Sequence, residues 1–489
     1  MFRLSDTRKI VLGLVVTGLL LVPSLGTCVQ AQEENAAQPA KNVILMIADG
    51  AGFNAFLAGA YYQYGTADST PYADFPVHCG MATFAPATSE AADAMNADGG
   101  VVAVGGYDPD YIWDAFNNCR RPVEGTVVTD SAAAGTVLYT GEKTTNGRVS
   151  VSADGELELA TMAEIADQLG KATGAVSSVE FSHATPACVA AHNVARGNYA
   201  AIAEEMLTAS PLDVIMGAGH PDAAPQSTKP AARSQYVGGT ELWSDLTDEN
   251  GLNGFFFLTE KSAFERLAEG LPCMGSDTLP LKVAGVPFAY KTINESSDSM
   301  EPTANAPTLE VMSRGALNVL NQDPDGFFVM IEGGAIDWAN HANDLPTMLR
   351  EMVEFNKAVA SVVDWVETNS SWDETLLIIT ADHETGQIWG ATAYDDANDD
   401  QRFDPQTETF NAFTPPQNAG QGVVPDVLYG YGSHTNHLVP VWAIGPGSEA
   451  ILDSADETDP QAAEVWNFSG RYIHNTELAP VMRGAVSIE

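Results

Sequence analysis

Cations are scarce in this chain of 489 residues: 22 lysines and arginines stand against 65 aspartates and glutamates, a formal net charge of −43. So acidic a surface excludes nucleic acid and anionic lipid as partners. Cysteine is scarce too, five in all, and Cys79, Cys119, Cys188 and Cys273 lack the close spacing of a zinc–cysteine site. Past residue 31 no apolar run is long enough for a membrane-spanning helix, and no internal repeat is present. What remains is an acidic chain whose 45% hydrophobic residues can bury a large core. Such a chain can take an anionic substrate only if metal ions or a buried arginine supply positive charge locally.

The N-terminus reads as a leader. Arg3, Arg8 and Lys9 precede an apolar stretch over residues 10–22, and Val29-Gln30-Ala31 offers a small-x-small cleavage site. A lipoprotein signal ending at Cys28 is disfavoured by Thr27 before the cysteine. Residues 1–31 are therefore expected to be a signal peptide, and residues 32–489 a mature periplasmic or secreted domain. Export places the four later cysteines in an oxidising compartment, where three pairings are open. Cys79–Cys119, which closes one local loop, is the pairing favoured.

Continuous apolar runs predict buried strands over 41–49, 172–179, 213–217, 255–258, 326–331, 375–380 and 439–444. Helices are expected over 53–64, 157–170, 182–196, 261–269, 309–320, 345–367 and 476–484. Residues 65–125 and 391–430 read as irregular insertions. Strands alternating with helices predict an α/β fold, a central and mostly parallel sheet flanked by helices on both faces. Ligands of such a sheet gather at the carboxyl ends of its strands.

Chemistry-bearing residues stand at those ends. The stretch Thr129-Asp130-Ser131-Ala132-Ala133-Ala134-Gly135-Thr136 has a capping residue followed by strong helix formers. Ser131 then falls in the first helical turn, where free N–H groups favour an alkoxide or a phosphate. Asp49 follows the first strand and Glu332 ends another; Asp337 and His341, four apart, share a helix face and could grip one metal ion. Asp382-His383-Glu384 closes a further strand, and His434 precedes the last one. Each alone has an ordinary explanation, a turn, a helix cap or a solvated loop. Together they place acids and imidazoles at several strand ends of one sheet.

These motifs resemble the zinc-dependent alkaline phosphatase family. The resemblance rests on Asp-Ser-Ala-Ala at 130–133, Asp-Gly at 49–50, Ala-Thr-Pro-Ala at 184–187, Glu-Gly-Gly-Ala-Ile-Asp at 332–337 and Thr-Ala-Asp-His at 380–383, in family order. It implies an alkaline phosphatase fold and hydrolysis of phosphate monoesters through a phosphoserine on Ser131. It implies one Zn2+ held by Asp337, His341 and His434, a second by Asp49, Asp382 and His383, and a Mg2+ by Asp49, Thr185 and Glu332. Arg196 would hold the phosphate with its planar fork, oriented by Asp130. A homodimer is implied as well. Two departures matter: His183 stands where many bacterial relatives have aspartate, and Trp338 where they have lysine. A histidine near the third metal should weaken magnesium or admit zinc there. Trp338 removes a positive charge near substrate, so looser product binding is expected.

Other features are weaker. His192 reads as a packing or supporting residue, and His437 as a supporting or surface one. Asp396, Asn398 and Asp400 are similar to the start of a calcium loop but lack its glycine and closing glutamate. The alternative functions are a phosphodiesterase or sulfatase on the same metals, or a non-catalytic zinc- or phosphate-binding protein. The alanines after Ser131 do not match the sulfatase pattern, and a binder has no need of Ser131.

Overall fold

The computed structural model describes residues 39–97, 106–121, 123–248, 251–273, 277–294, 305–390 and 413–487. The expected signal peptide and the acidic loop at 396–400 lie outside them. The described residues all fall in one unit, Ala37–Glu489.

Eleven strands among the described residues join one sheet. In chain order they are β1 (Asn42–Ala48), β2 (Val77–Ala82), β3 (Ala172–Glu180), β4 (Val214–Ala218), β5 (Phe256–Leu258), β6 (Val283–Gly285), β7 (Phe327–Gly333), β8 (Thr375–Thr380), β9 (Val439–Ile444), β10 (Glu457–Thr458) and β11 (Arg471–His474). Their spatial order is β10-β11-β2-β9-β8-β1-β7-β3-β4-β6-β5. From β8 to β5 every neighbour is parallel, whereas β9 runs antiparallel to both β8 and β2. The central strands are mostly apolar because both faces are covered, and every residue of β1 and of β7 is buried.

The helices that cover it are α1 (Phe53–Tyr64), α2 (Ser131–Thr140), α3 (Met162–Gln168), α4 (Tyr199–Thr208), α5 (Leu309–Leu320), α6 (Ala335–His341), α7 (Leu345–Asn369) and α8 (Leu478–Val486). α5 and α7 pack on strands of the sheet and on each other, with α1 against α7. α3 and α8 pack on strands of the sheet, on each other and on α2. The long α7 begins where Asp344 accepts the N–H of Thr347 at 3.2 Å. Its Met348, Met352, Phe355, Val359, Val362 and Val366 recur at helical spacing and are all buried. The mostly parallel α/β sheet expected from the sequence is the sheet observed.

Register carries this order to the site. Ile47 of β1 lies level with Glu332 of β7 on one side and Thr380 of β8 on the other. Ser177 of β3 is level with Glu332 in turn. Asp49, Glu332 and Asp382, distant in sequence, therefore emerge along one edge of the sheet.

Four expectations are corrected. Residues 65–125 are not wholly an insertion, since Val77–Ala82 pairs with β9 and β11 inside the main sheet. The helix expected from 157 starts at Met162, where Thr161 and Glu164 form a reciprocal cap; residues before it are held by the Val151–Glu158 bridge. The helix expected to run to Arg196 is one turn, Ala184–Ala187, because Asn193 bridges to Val149 and pulls the chain out of helical geometry. Finally, Cys79, Cys119, Cys188 and Cys273 are all buried free thiols, so the Cys79–Cys119 bridge is absent. The two belong to separate apolar clusters, and the Cys119 thiol faces the carbonyl of Phe116.

Candidate active site

Asp130 caps α2 in extended geometry, accepting the N–H of Ala133 at 2.9 Å. All ten residues of the helix are buried, so small side chains behind the serine are required by packing. Ser131 is thereby fixed at the helix N-terminus, where its Oγ lies 3.2 Å from Nε2 of His383.

His383 is the meeting point of two groups of ligating side chains. Its Nε2 is 3.2 Å from Asp382 Oδ2 and 3.7 Å from Asp49 Oδ1. Its ring also stacks on His434, with centroids 3.7 Å apart. On that side Asp337 is 3.4 Å from His434 Nε2 and 3.5 Å from His341 Nε2. Asp337, His383 and His434 form one cluster with metal-ligating spacing, and Asp49, Asp382 and His383 another. Thr185 donates to Asp49 Oδ2 at 3.4 Å, and Ser177 donates to Glu332. Gly50 must stay glycine: its φ is +72°, and a Cβ there would meet Asp337 Cα at 2.8 Å.

The electrostatics are those of a site that wants cations. Burial, then the Asp382, Asp337 and Glu332 carboxylates, raise Asp49 well above the ordinary carboxylate range. Burial also raises Asp382 to about 6 and Glu332 to about 7. Burial would raise Asp337 too, but the hydrogen bond from His434 and the neighbouring imidazoles hold it well below the usual value. Three buried oxygens, Asp49 Oδ1, Asp382 Oδ2 and Glu332 Oε1, have no hydrogen-bond partner. The Nδ1 atoms of His341 and His434 face the carbonyls of Gly432 and Thr129, at 2.9 and 2.8 Å. A carbonyl only accepts, so each Nδ1 carries a proton, and each Nε2 offers a lone pair once its own proton gives way to a cation. Those two Nε2 atoms are 2.9 Å apart. Orphaned carboxylate oxygens and converging imidazole lone pairs fit divalent cations.

Beyond this cluster, Arg196 stands in a turn and donates to Asp130 Oδ2 at 3.0 Å. That carboxylate also accepts the N–H of Gly147, tying the start of α2, the loop after it and the arginine together. Arg196 Nη2 is 3.5 Å from His183 Nε2, and the His183 ring meets Trp338 edge-on at 5.6 Å. Burial, and then the Arg196 charge, push His183 down to about 3, so it is neutral.

Every sequence-predicted site residue thus falls in one neighbourhood. His192 binds Glu205 and the carbonyl of Leu159. His437 is not at the surface: it is buried among Trp113, Trp389 and Trp466. Sequence reasoning missed Thr385, which donates to Asp337 Oδ1 at 2.7 Å and lies 3.2 Å from His383 Nδ1. Its place two residues after His383, just past a buried strand, was the available signal. It also missed Asn340, which donates to the carbonyl of Gly50 at 3.1 Å.

A mostly parallel sheet with a serine at a helix N-terminus, facing buried carboxylates and imidazoles at the strand ends, is the frame of an α/β enzyme whose site could hold metal ions. The family model for alkaline phosphatase matches residues 113–431. Alkaline phosphatase 3 of Bacillus subtilis (strain 168) is 33% identical over 264 residues, 53% of this chain and 50% of that protein. Alkaline phosphatase H of Pseudomonas aeruginosa (strain UCBPP-PA14) is 28% identical over 452 residues, 86% of this chain and 83% of that one. The match therefore spans about half the length of the Bacillus protein and most of the Pseudomonas one. The alkaline phosphatase of the Antarctic bacterium TAB5 shares the fold, with a TM-score of 0.58 at 23% identity over 92% of this chain and 98% of that one. The chain belongs to the alkaline phosphatase family.

Proposed function

We propose that this chain is an exported phosphomonoesterase with Ser131 as nucleophile. The observation that carries the reading is Ser131 Oγ at a helix N-terminus, 3.2 Å from His383 Nε2 and thus at the edge of the ligand cluster. The exported location is supported by the leader-like residues 1–31; among the described residues no helix is long and apolar enough to cross a membrane. A homodimer is the assembly the family resemblance implies, and light scattering tests it.

In this reading Arg196 binds two oxygens of the phosphoryl group, held at the correct angle by Asp130. Ser131 Oγ attacks phosphorus in line with the leaving group; the new P–O bond to serine forms as the old ester bond breaks, and the hydroxyl proton ends, by way of solvent, on the departing oxygen, which leaves as the alcohol. Water then attacks phosphorus, the P–O bond to serine breaks, one water proton restores the Ser131 hydroxyl, and inorganic phosphate is released. When bound, two Zn2+ at Asp337, His341, His434 and at Asp49, Asp382, His383, with Mg2+ at Asp49, Thr185 and Glu332, supply Lewis-acid charge to the attacking and leaving oxygens. His183, neutral and beside Arg196, would weaken Mg2+ at the third position or admit Zn2+ there, and Trp338 walls the substrate side. Positive charge confined to this cluster answers the acidity of the chain.

The test is a panel of p-nitrophenyl phosphate, the matching diester and the matching sulfate, each with and without chelator. Fast, chelator-sensitive monoester hydrolysis supports the reading. A preference for diester or sulfate moves the function to a sister activity, and metal binding without turnover of any of the three makes the chain a binding protein.

A further inference from the structure

Lys291 is one of 22 basic residues in a strongly acidic chain, and it stands beside the candidate active site. Its Nζ lies 2.8 Å from Oε1 of Glu180 at the end of β3 and donates to the Tyr236 hydroxyl. The Glu180 side chain is fully buried, whereas that of Lys291 stays 45% exposed, so the pair turns its positive end outward. The ammonium is 4.5 Å from the ring centre of Tyr236 and 5.9 Å from that of Trp338, both within cation–π range. Trp338 in turn meets His183 edge-on, and His183 Nε2 is 3.5 Å from Arg196 Nη2. Lys291, Trp338 and Arg350, together with one acid, Asp344, also line an open cleft of about 490 Å³.

We propose that Lys291 is a second anion-affinity residue of this site: its ammonium, fixed by Glu180 beside Trp338, adds positive potential at the outer edge and strengthens binding of phosphate monoesters and of released phosphate. The inference rests on the phosphatase reading, since it takes Arg196 as the inner phosphate ligand. The cation comes from a loop residue and not from the helix that carries Trp338. A flexible lysine stem alone would hold no fixed position; the buried carboxylate and the aromatic faces hold it. Glu180 is fully buried whereas the ammonium is partly exposed on the cleft, so an incoming anion reaches the ammonium before that acid. A lysine present only to neutralise Glu180 would leave phosphate affinity unmoved, which makes the two roles separable.

The experiment titrates the metal-loaded protein with inorganic phosphate by calorimetry, for wild type, Lys291→Arg, Lys291→Met and the double variant Lys291→Met/Glu180→Gln. The double variant removes the buried acid with its partner, so folding is not lost to an orphaned carboxylate. One partly solvated charge near a dianion predicts about three- to tenfold weaker phosphate binding in both methionine variants. Lys291→Arg binds as wild type does, and the deficit shrinks as ionic strength rises. In p-nitrophenyl phosphate kinetics KM and the phosphate inhibition constant rise together, with kcat little changed. Unaltered phosphate affinity in the folded double variant overturns the proposal. A wild type that binds phosphate but turns over no monoester overturns the phosphatase reading instead, and the phosphate titration still decides the role of Lys291.

Discussion

Asp130 and Arg196 meet at 3.0 Å, and the same carboxylate caps the helix that begins with Ser131. One acid therefore sets both the helix that begins at Ser131 and the position of Arg196. Asp130→Asn keeps an oxygen for the cap but releases the charge on Arg196; Asp130→Ala loses both. The asparagine variant should melt near the wild-type temperature yet show a higher phosphate inhibition constant. The alanine variant should also lose about 1 kcal/mol of stability, the usual size of a lost N-cap. Equal phosphate inhibition in wild type and both variants contradicts the coupling.

Metal removal should expose the repulsion among the buried acids. With no cation present, Asp382 and Glu332 are raised to about 6 and about 7 in the fold. Carboxylates of an unfolded chain titrate near 4, so between roughly pH 4 and 7 the folded state holds more protons than the unfolded one. Chelated protein should therefore lose melting temperature as pH rises through that window, and metal-loaded protein should not. Parallel melting curves with and without chelator contradict this.

Lys143 gives an opposite pH dependence by the same linkage. It is fully buried, donates to the carbonyl of Phe84 and to Asn475, and burial pushes its pKa down to about 7. Below that value the fold carries a desolvated charge; as pH rises from about 7 towards the ordinary lysine value of 10.5, the penalty is relieved and stability increases. Lys143→Met should raise the melting temperature at pH 7 and flatten its rise between pH 7 and 10. If the variant keeps the wild-type slope, Lys143 is not the source.

Trp338 tests the other wall of the site. Trp338→Lys adds a cation beside Arg196 and should strengthen inhibition by phosphate, slowing product release. An unchanged inhibition constant sinks that account.

The parts of the site that could be read in the sequence are those set by buried parallel strands. Asp49, Glu332 and Asp382 were visible because each ends an apolar run, and strand register then brings the ends level. Asp337 and His341 were visible because one helical turn joins them. The rest was hidden by contacts that no local pattern records. Glu180 and Lys291 belong to different elements and pair only in the fold. Arg196 sits in a turn because a bridge from Val149 to Asn193 overrides helix-forming residues, a tertiary choice that propensity does not report. The strands Val283–Gly285 and Arg471–His474 are too short to show a periodicity. The Cys79–Cys119 expectation failed because proximity in sequence says nothing about which apolar cluster receives each thiol.

The most direct test of the central claim is Ser131→Ala, compared with wild type for p-nitrophenyl phosphate hydrolysis and for bound metal. The account predicts full metal content, retained phosphate binding and loss of nearly all turnover, because the nucleophile is removed while every ligand remains. Turnover close to wild type in the metal-loaded variant would mean that Ser131 forms no phosphoserine and that the chemistry lies elsewhere.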